Sequence, residues 1–351
     1  MPDIGKYLKT DMNAQAGKYY IFNPETDMAM ASGRECYTAP LSVRKFAANL
    51  ALLPALYAPE GSIILTDYDI SPDTPYIDIV RKRNLKVVRL KRGLAPAEIE
   101  PWGWNPALRE TLHRAGISDR FLPLESQIAQ WRRLAHRATT AKVASHFKEL
   151  KERDLLPLFC RSLEQAIDQA ERRERKVVVK LPWSSSGRGV FISPDNRTLK
   201  NLMSRQGGVM IEPLWDNVFD FASEWRCFDG RAEFMGWSVF QNSQAGNYMG
   251  NIVATQTCLK DMISAHCNEE SLNSAIRTLE SSLTKEVASY YDGPLGVDML
   301  CDRAGDINPC VEINLRRTMG HIALQLYRMF KMPKGEPYRF YPGKDLPVCL
   351  K

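Results

Sequence analysis

The clearest alternation of apolar and polar residues in this chain lies between Gly296 and Arg316. Two apolar segments, 296–300 and 309–316, flank a polar turn at 302–308. In the second segment, every other residue is apolar, which predicts a strand with one face in a core. The residues expected on that buried face are Val311, Ile313 and Leu315. Those expected on the opposite, polar face are Glu312, Asn314 and Arg316.

The N-terminal third alternates short β-branched segments with helical ones. Strands are predicted at 18–22, 62–66 and 86–90, with helices from about Pro40 and near 75–84. This order predicts a parallel, Rossmann-like sheet. Ligands bind such sheets beyond the carboxyl ends of the strands. The polar residues after the first strand are therefore candidate ligand contacts, although turn and helix-cap chemistry explains them equally well; they are Asn23, Glu25 and Asp27.

The middle of the chain begins with a long helical pattern at 125–152. A β-branched run at 176–180 then ends in Lys180, and a loop rich in Ser and Gly follows it. Backbone N–H groups of such a loop can hold phosphate, and its glycines permit close approach. An ordinary hairpin turn is the alternative. The candidate phosphate contacts are Ser185, Ser186 and Gly187.

Three oxygen-bearing side chains make the C-terminal strands a candidate metal site. Asp298 is an acid within an apolar strand, and Glu312 and Asn314 share one face of the next strand. Carboxylate and amide oxygens are ligands that Mg²⁺ accepts, with water and phosphate oxygens completing its shell. Acids at strand ends can also be simply solvated, and this reading stays open.

In this order, these segments resemble the ATP-grasp superfamily. The most specific match is an acid followed by Glu-x-Asn-x-Arg, here Asp298 and then residues 312–316. The resemblance implies a mixed α/β and α+β fold, in which an N-terminal Rossmann-like, pre-ATP-grasp domain precedes a two-lobed ATP-grasp domain. The expected limits are 1–124 for the first domain, 125–213 for the first lobe, and 214–351 for the second lobe with the metal site.

The resemblance also implies which residues hold ATP. Lys180 matches a cation that contacts the phosphates, and Arg137 lies where a second cation is expected, with Lys142 as its rival. Glu212 and Leu214 match the hinge whose backbone pairs with adenine.

A further acid of the family binds the ribose hydroxyls. Glu224, at the start of a predicted hairpin (220–241), matches it, with Asp220 as the rival. Arg226 is expected on the same face as Glu224. A polar loop at 243–251 lies where the family places substrate-binding loops, although an ordinary hairpin loop is the alternative.

The implied reaction is ATP- and Mg²⁺-dependent ligation through an acyl phosphate, which joins a carboxylate to an amine or a similar nucleophile. Arg316 is expected to clamp the carboxylate or acyl phosphate, and with Lys180 it forms the expected catalytic pair. His321 fits a helix cap better than a general base. Two alternatives stay open, namely a phosphotransferase on the same fold and a non-catalytic nucleotide-binding protein. The acid and the acceptor, a small molecule or peptide, are not specified, and a homodimer is one assembly compatible with the chain.

Composition narrows the remaining classes. The chain has 351 residues, enough for two or three domains, and a net charge of only +6. Its basic runs at 81–92 and 171–176 lack aromatic stacking motifs or zinc-finger spacing, so nucleic-acid binding is not expected. The eight cysteines form no CxxC pair, and no signal peptide or long apolar span is present. A reduced, cytoplasmic protein without a membrane role is the expectation.

Overall fold

The structure is a computed structural model that describes residues 18–184, 189–242, 248–330, 337–343 and 348–349. Its described residues divide into two compact units. The first unit draws on Met1–Ile128, Gly250–Cys258 and Arg316–Lys351, and the second on Ala129–Met249 and Leu259–Leu315. The division shows the C-terminal segment grouping with the N-terminal one, while domain limits at 124 and 213 stay predictions.

The N-terminal segment folds into alternating strands and helices. The strands are β1 (Tyr19–Ile21), β2 (Ile63–Thr66), β3 (Lys86–Arg89) and β4 (Ile99–Pro101). The helices are α1 (Thr26–Ser32), α2 (Leu41–Asn49), α3 (Ile77–Lys82), α4 (Pro106–Arg114) and α5 (Glu125–Leu134). The strands are all parallel, in the order β3-β2-β1-β4. The predicted parallel, Rossmann-like sheet is confirmed, with helices following β1 and β2, whereas β3 and β4 are joined without a helix.

The long helical pattern at 125–152 is three helices rather than one. After α5 come α6 (Ala138–Ala144) and α7 (Lys148–Glu152). The break before α6 has a local cause: the ring Nδ1 of His136 accepts the backbone N–H of Ala138 at 2.9 Å. This side-chain bond replaces an intrahelical one, as capping groups do.

The first lobe of the second unit is a small antiparallel sheet covered by two helices. Its elements are β5 (Leu158–Cys160), α8 (Leu163–Arg172), β6 (Val177–Lys180), β7 (Val190–Ile192), α9 (Asn196–Gln206) and β8 (Val209–Pro213). The strand order is β5-β8-β6-β7. Alternate strand residues such as Val177 and Val179 pack with Ala166 and Leu199 of the helices in one buried cluster.

The remaining elements follow in chain order. They are β9 (Asn217–Phe228), β10 (Arg231–Asn242), β11 (Tyr248–Val253), α10 (Gln256–Ser264), α11 (Glu269–Leu283), a π-helix (Thr284–Ala288), β12 (Gly293–Asp302), β13 (Ile307–Asn314), α12 (Met319–Phe330), β14 (Tyr338–Phe340) and β15 (Val348–Cys349). In the second unit, antiparallel strands run in the order β13-β12-β9-β10. The predicted hairpin turn is confirmed, since Asp229 and Gly230 join β9 to β10 with φ of 48° and 71°.

The C-terminal segment belongs to the first unit because of its apolar contacts. Ile322, Ala323 and Leu326 of α12 lie in one buried cluster with Leu53 and Tyr76. Within the same unit, β14 pairs with residues 251–253 of β11.

Two further features of the described residues are the burial of several cysteines and the character of the helices. Four cysteines that lie in strands are buried free thiols, namely Cys160, Cys227, Cys301 and Cys310. Among the described residues, no helix combines the length and the apolar character needed to cross a bilayer.

Candidate nucleotide and metal site

Asp298 and Glu312 lie directly opposite each other on β12 and β13. Directly opposed residues of an antiparallel pair share a face, so both carboxylates project to the same side. The amide Nδ2 of Asn314 donates to Asp298 Oδ2 at 3.1 Å. Ile313 and Leu315 are each 8% exposed, as the predicted alternation requires. Val311 is only half-buried, so the expected burial of all three apolar residues is wrong at this position.

The donor chemistry of this trio fits Mg²⁺. Two carboxylates and an amide provide hard oxygen ligands, and Asn314 uses its nitrogen toward Asp298, which leaves its oxygen outside that bond. Among the residues that the structure describes, no group of three or more His, Cys, Asp or Glu side chains forms a metal site. A cage made only of those four residue types is therefore absent there. Mg²⁺ commonly takes one or two carboxylates and completes its shell with water and phosphate.

Arg137 joins this face to the loop that follows β6. Its Nη2 lies 2.8 Å from Glu312 Oε1 and also donates to Ser184 Oγ at 3.1 Å. Its Nε donates to Leu181 O at 3.1 Å, and its backbone N–H donates to Pro182 O at 3.0 Å. The side chain is 5% exposed. Its Nη1 is buried and has no hydrogen-bond partner among the described residues.

Lys142, the rival of Arg137, points to a different partner. Its Nζ lies 2.5 Å from Glu286 Oε2, in the π-helix, and His146 Nε2 lies 3.0 Å from the other oxygen of that carboxylate. Thr140, on the same helix, accepts the backbone N–H of Ile313 at 3.2 Å. Helix α6 is thus fixed against both β13 and the π-helix, and this placement favours Arg137 as the cation of the site.

Lys180 ends β6 and reaches both lobes of the second unit. Its Nζ donates to Glu212 Oε2 at 2.5 Å and to the backbone oxygen of Val311 at 3.3 Å. The two side chains come together because Glu212 pairs in register with Val178, two residues before Lys180 and on the same face. The Glu212 side chain therefore contacts Lys180, the predicted phosphate-binding cation, a contact that the expected role of Glu212 at the adenine hinge does not include.

The proposed adenine hinge has one backbone group already engaged. The N–H of Leu214 donates to Lys176 O at 2.9 Å. An adenine contact through this residue would therefore use its carbonyl oxygen rather than its N–H.

Sequence reasoning did not place Cys310 at the candidate site, although it lies in β13 two residues before Glu312. Its Sγ donates to Thr140 O at 3.9 Å. Burial raises the pKa of the Cys310 thiol above its ordinary range, and Glu212 and Asp298 raise it further against the effect of Lys180. A thiol in this state stays protonated and unreactive. The simple alternation of the sequence does not predict which side Cys310 faces, because the β12–β13 register shifts between Asn308 and Glu312.

Glu224 is the clearest positional correction. It lies in the middle of β9 rather than at the start of the hairpin, because β9 begins at Asn217. It is 1% exposed and accepts a hydrogen bond from Ser238 Oγ at 2.8 Å. Its register partners on both neighbouring strands are glycines, Gly236 and Gly296. The register puts Glu224 on the same face as Asp298, which pairs with Ala222.

Asp220 and Arg226 are the other two residues that the sequence places with Glu224. Asp220 has hydrogen-bond partners of its own, and Arg226 is exposed to solvent. Asp220 accepts hydrogen bonds from Asn217 at 2.8 Å and from Asn242 at 3.2 Å. Arg226 shares the face of Glu224 and is exposed.

Arg316 belongs to the first unit, where its Nε donates to Asp27 Oδ2 at 2.8 Å. Gly103 lies so close that an added Cβ would meet Arg316 Cβ at 2.9 Å. Asn23 exchanges hydrogen bonds with the Gly103 backbone in both directions. Asn23 and Asp27 thus have structural partners at the carboxyl end of the parallel sheet.

Glu25 differs from these neighbours. Burial raises the pKa of its carboxyl above the usual range, with an opposing effect only from its own backbone hydrogen bond. No ion pair or side-chain hydrogen bond to its carboxylate occurs among the described residues.

His321 acts at a helix start, as expected for a cap. Its Nδ1 lies 2.9 Å from Thr318 Oγ1, which in turn accepts the backbone N–H of His321 at 3.3 Å. The remaining predicted contacts, Ser185, Ser186 and Gly187, lie outside the described residues, as do positions 243–247 of the predicted substrate loop. The described residues on either side of the predicted phosphate contacts are joined by one hydrogen bond, since Leu181 N–H donates to Gly189 O at 2.9 Å.

Comparison with solved structures connects this arrangement to a known fold. A biotin carboxylase–β,γ-ATP complex from Campylobacter jejuni superposes with a TM-score of 0.50 at 12% identity, over 90% of this chain and 68% of that one. The chain has the ATP-grasp fold. At this identity, the likeness shows the fold and nothing finer.

Other similar structures have slightly lower scores. N5-carboxyaminoimidazole synthetase from Staphylococcus aureus, complexed with ADP, gives a TM-score of 0.49 at 12% identity, over 92% of this chain and 81% of that one. Phosphoribosylamine–glycine ligase from Thermotoga maritima gives 0.49 at 12% identity, over 87% and 70%. No protein-family model and no curated protein matches the sequence.

Proposed function

We propose that this ATP-grasp chain is an ATP- and Mg²⁺-dependent ligase that activates a carboxylate by phosphorylation and transfers the acyl group to an amine or similar nucleophile. The observation that carries the proposal is the shared face of Asp298 and Glu312, next to the buried cation Arg137. Two acids on one partly buried face cost free energy unless cations or hydrogen bonds compensate them, and a bound divalent cation would supply such compensation.

Each residue has a stated task in this proposal. Asp298, Glu312 and Asn314 would hold Mg²⁺, which supplies charge neutralisation at the phosphates when bound. Lys180 and the open Nη1 of Arg137 would face phosphate oxygens, offsetting charge as the γ-phosphoryl group leaves. The buried Glu212 holds the Lys180 side chain in place.

The reaction would proceed in two displacements. A carboxylate oxygen of the substrate attacks the γ-phosphorus, and ADP departs. The nucleophile then attacks the acyl carbon, inorganic phosphate leaves, and the amine loses one proton. Arg316 and the carboxyl edge of the parallel sheet would bind the organic substrates, with Arg316 oriented by Asp27.

A product analysis tests this function. The chain is incubated with Mg²⁺, ATP and mixtures of carboxylates and amines, and ADP, phosphate and new amides are measured. Amide formation with one ADP and one phosphate per amide is expected. A stable phosphorylated product with no free phosphate would identify a phosphotransferase instead. ATP binding without any turnover across a broad panel would leave only a nucleotide-binding protein.

A further inference from the structure

The guanidinium group of Arg137 already has several protein partners. Leu181 O and Ser184 Oγ accept from it on one side, and Glu312 lies 2.8 Å from it on the other. Two of its three guanidinium nitrogens are therefore already engaged. The third, Nη1, is buried and open among the described residues.

Charged side chains of both signs lie around this guanidinium, and Lys180 reaches the backbone oxygen of Val311, the residue before Glu312. Asp298 and Glu312 contribute two negative charges to one strand face, and Arg137 contributes a positive charge in direct contact with one of them. A divalent cation that binds Glu312 must therefore enter close to an existing cation. Repulsion between such charges is strong at a site screened little by water. A bound phosphate reverses this balance, because its oxygens attract both the metal and the open Nη1.

We propose that Arg137 makes metal binding conditional on nucleotide: it competes with the divalent ion for Glu312 in the free protein and supports that ion once phosphate is bound. The inference rests on the proposed function, since it takes Glu312 to be a metal ligand. Arg137 is then a positioning residue for the metal as well as a phosphate contact. The free chain should bind a bare divalent ion weakly, and ADP and the metal should strengthen each other's binding.

Lys142 provides a matched control. It is another cation of the same helical segment, but it pairs with Glu286 and is 67% exposed. Removing its charge alters the net charge of the protein as much as removing that of Arg137. It leaves the cation beside Glu312 in place.

The experiment measures Mn²⁺ binding by calorimetry and by electron paramagnetic resonance, and ADP binding in a metal chelator, at one ionic strength. The variants are Arg137→Met, Arg137→Gln and Lys142→Met, in the full chain. Both Arg137 substitutions should tighten Mn²⁺ binding in the absence of ADP by about tenfold or more. They should weaken metal-free ADP binding by a similar factor and reduce the mutual enhancement. Lys142→Met should change none of these values by more than about twofold.

The decisive result is that the Arg137 substitutions change the two affinities in opposite directions, with tighter Mn²⁺ binding and weaker ADP binding. A variant that merely loosens the fold would weaken Mn²⁺ and ADP together, and this result in both Arg137 variants would overturn the inference. The Gln variant keeps a hydrogen-bond donor for the loop, so it provides the test if the Met variant fails to fold. If wild-type protein binds ADP but no Mn²⁺ at any ADP concentration, the metal assignment itself fails, and the inference fails with it. Unchanged bare-metal affinity in both Arg137 variants, with ADP-dependent Mn²⁺ binding retained, would overturn the inference alone.

Discussion

Lys180 donates a hydrogen bond to Glu212 at 2.5 Å, and both side chains are buried. Removing one partner of a buried ion pair leaves an uncompensated charge, whereas replacing both by apolar residues is often neutral. The proposed role of Lys180 in ATP binding therefore cannot be measured with a single substitution.

We expect Lys180→Ala to lower the free energy of unfolding by about 3–5 kcal/mol, because Glu212 then lacks its cation. The double variant Lys180→Met/Glu212→Met should recover most of that loss. Its ATP affinity should stay far below that of the wild type, because the ammonium near the phosphates is missing. Denaturant unfolding and calorimetric ATP titration measure the two effects. Wild-type ATP affinity in the stable double variant would show that Lys180 is only structural.

Glu312 and Ile313 point to opposite faces of β13, so their substitutions should have opposite effects. Glu312→Gln keeps size and removes one negative charge from the metal face, and it should abolish most ATP turnover while the protein remains folded. Ile313→Ala opens a cavity at a position that is 8% exposed, and it should cost about 2–5 kcal/mol of stability. Melting curves and turnover per folded molecule measure both. A large loss of stability in Glu312→Gln with full turnover would make Glu312 a structural partner of Arg137.

His136 predicts a pH dependence of stability. Burial and the nearby Arg132 and Arg161 lower the pKa of His136 to about 4 from 6.5. Its ring packs edge-on against Phe159 and Trp183, with centroid distances of 4.8 and 4.5 Å. Between about pH 6.5 and 4, the unfolded chain binds a proton at this residue and the folded chain does not. Stability contributed by neutral His136 is therefore present above pH 6.5 and lost as the pH falls toward 4.

The variant His136→Phe should show less loss of stability between pH 6.5 and 4 than the wild type. His113, on the exposed side of α4, provides a comparison as His113→Phe. Thermal melts across this pH range measure the effect. Identical pH slopes for the wild type and His136→Phe would show that His136 is not responsible.

Glu25 predicts a pH dependence of stability opposite to that of His136, with stability falling as the pH rises. Burial raises the pKa of its carboxyl above 4.5, so the folded chain binds this proton more readily than the unfolded chain. The ionised carboxylate thus lowers stability as the pH rises through the folded pKa. Glu25→Gln should raise the melting temperature at pH 7 and leave it nearly unchanged at low pH.

Glu25 also tests the acceptor site. If the carboxyl edge of the parallel sheet binds the acceptor amine, Glu25→Gln should raise the KM for that amine while the affinity for ATP stays constant. Such a stability gain with loss of function is common at binding sites. Asp78→Asn, at an exposed position of α3 in the same unit, is the control. An unchanged amine KM in Glu25→Gln would remove this residue from the site.

The sequence by itself determined the local features, namely which residues share a strand face and where a tight turn lies. Residues two apart on a strand share a face, so Glu312 and Asn314 had to lie together, and Ile313 and Leu315 had to point to the core. Asp229-Gly230 likewise specified a tight turn, because both residues tolerate positive φ. These features need no knowledge of distant residues.

Only the tertiary structure decided which cation meets which acid. Arg137 and Lys142 are five positions apart in one helical segment, and both are candidates by sequence. Arg137 lies beside Glu312 and Lys142 beside Glu286, because Thr140 docks this helix on the backbone of β13. The pairs Lys180–Glu212 and Ser238–Glu224 also join separate strands. Their partners follow from strand register and packing, which depend on contacts far apart in the chain and leave no local periodic signal.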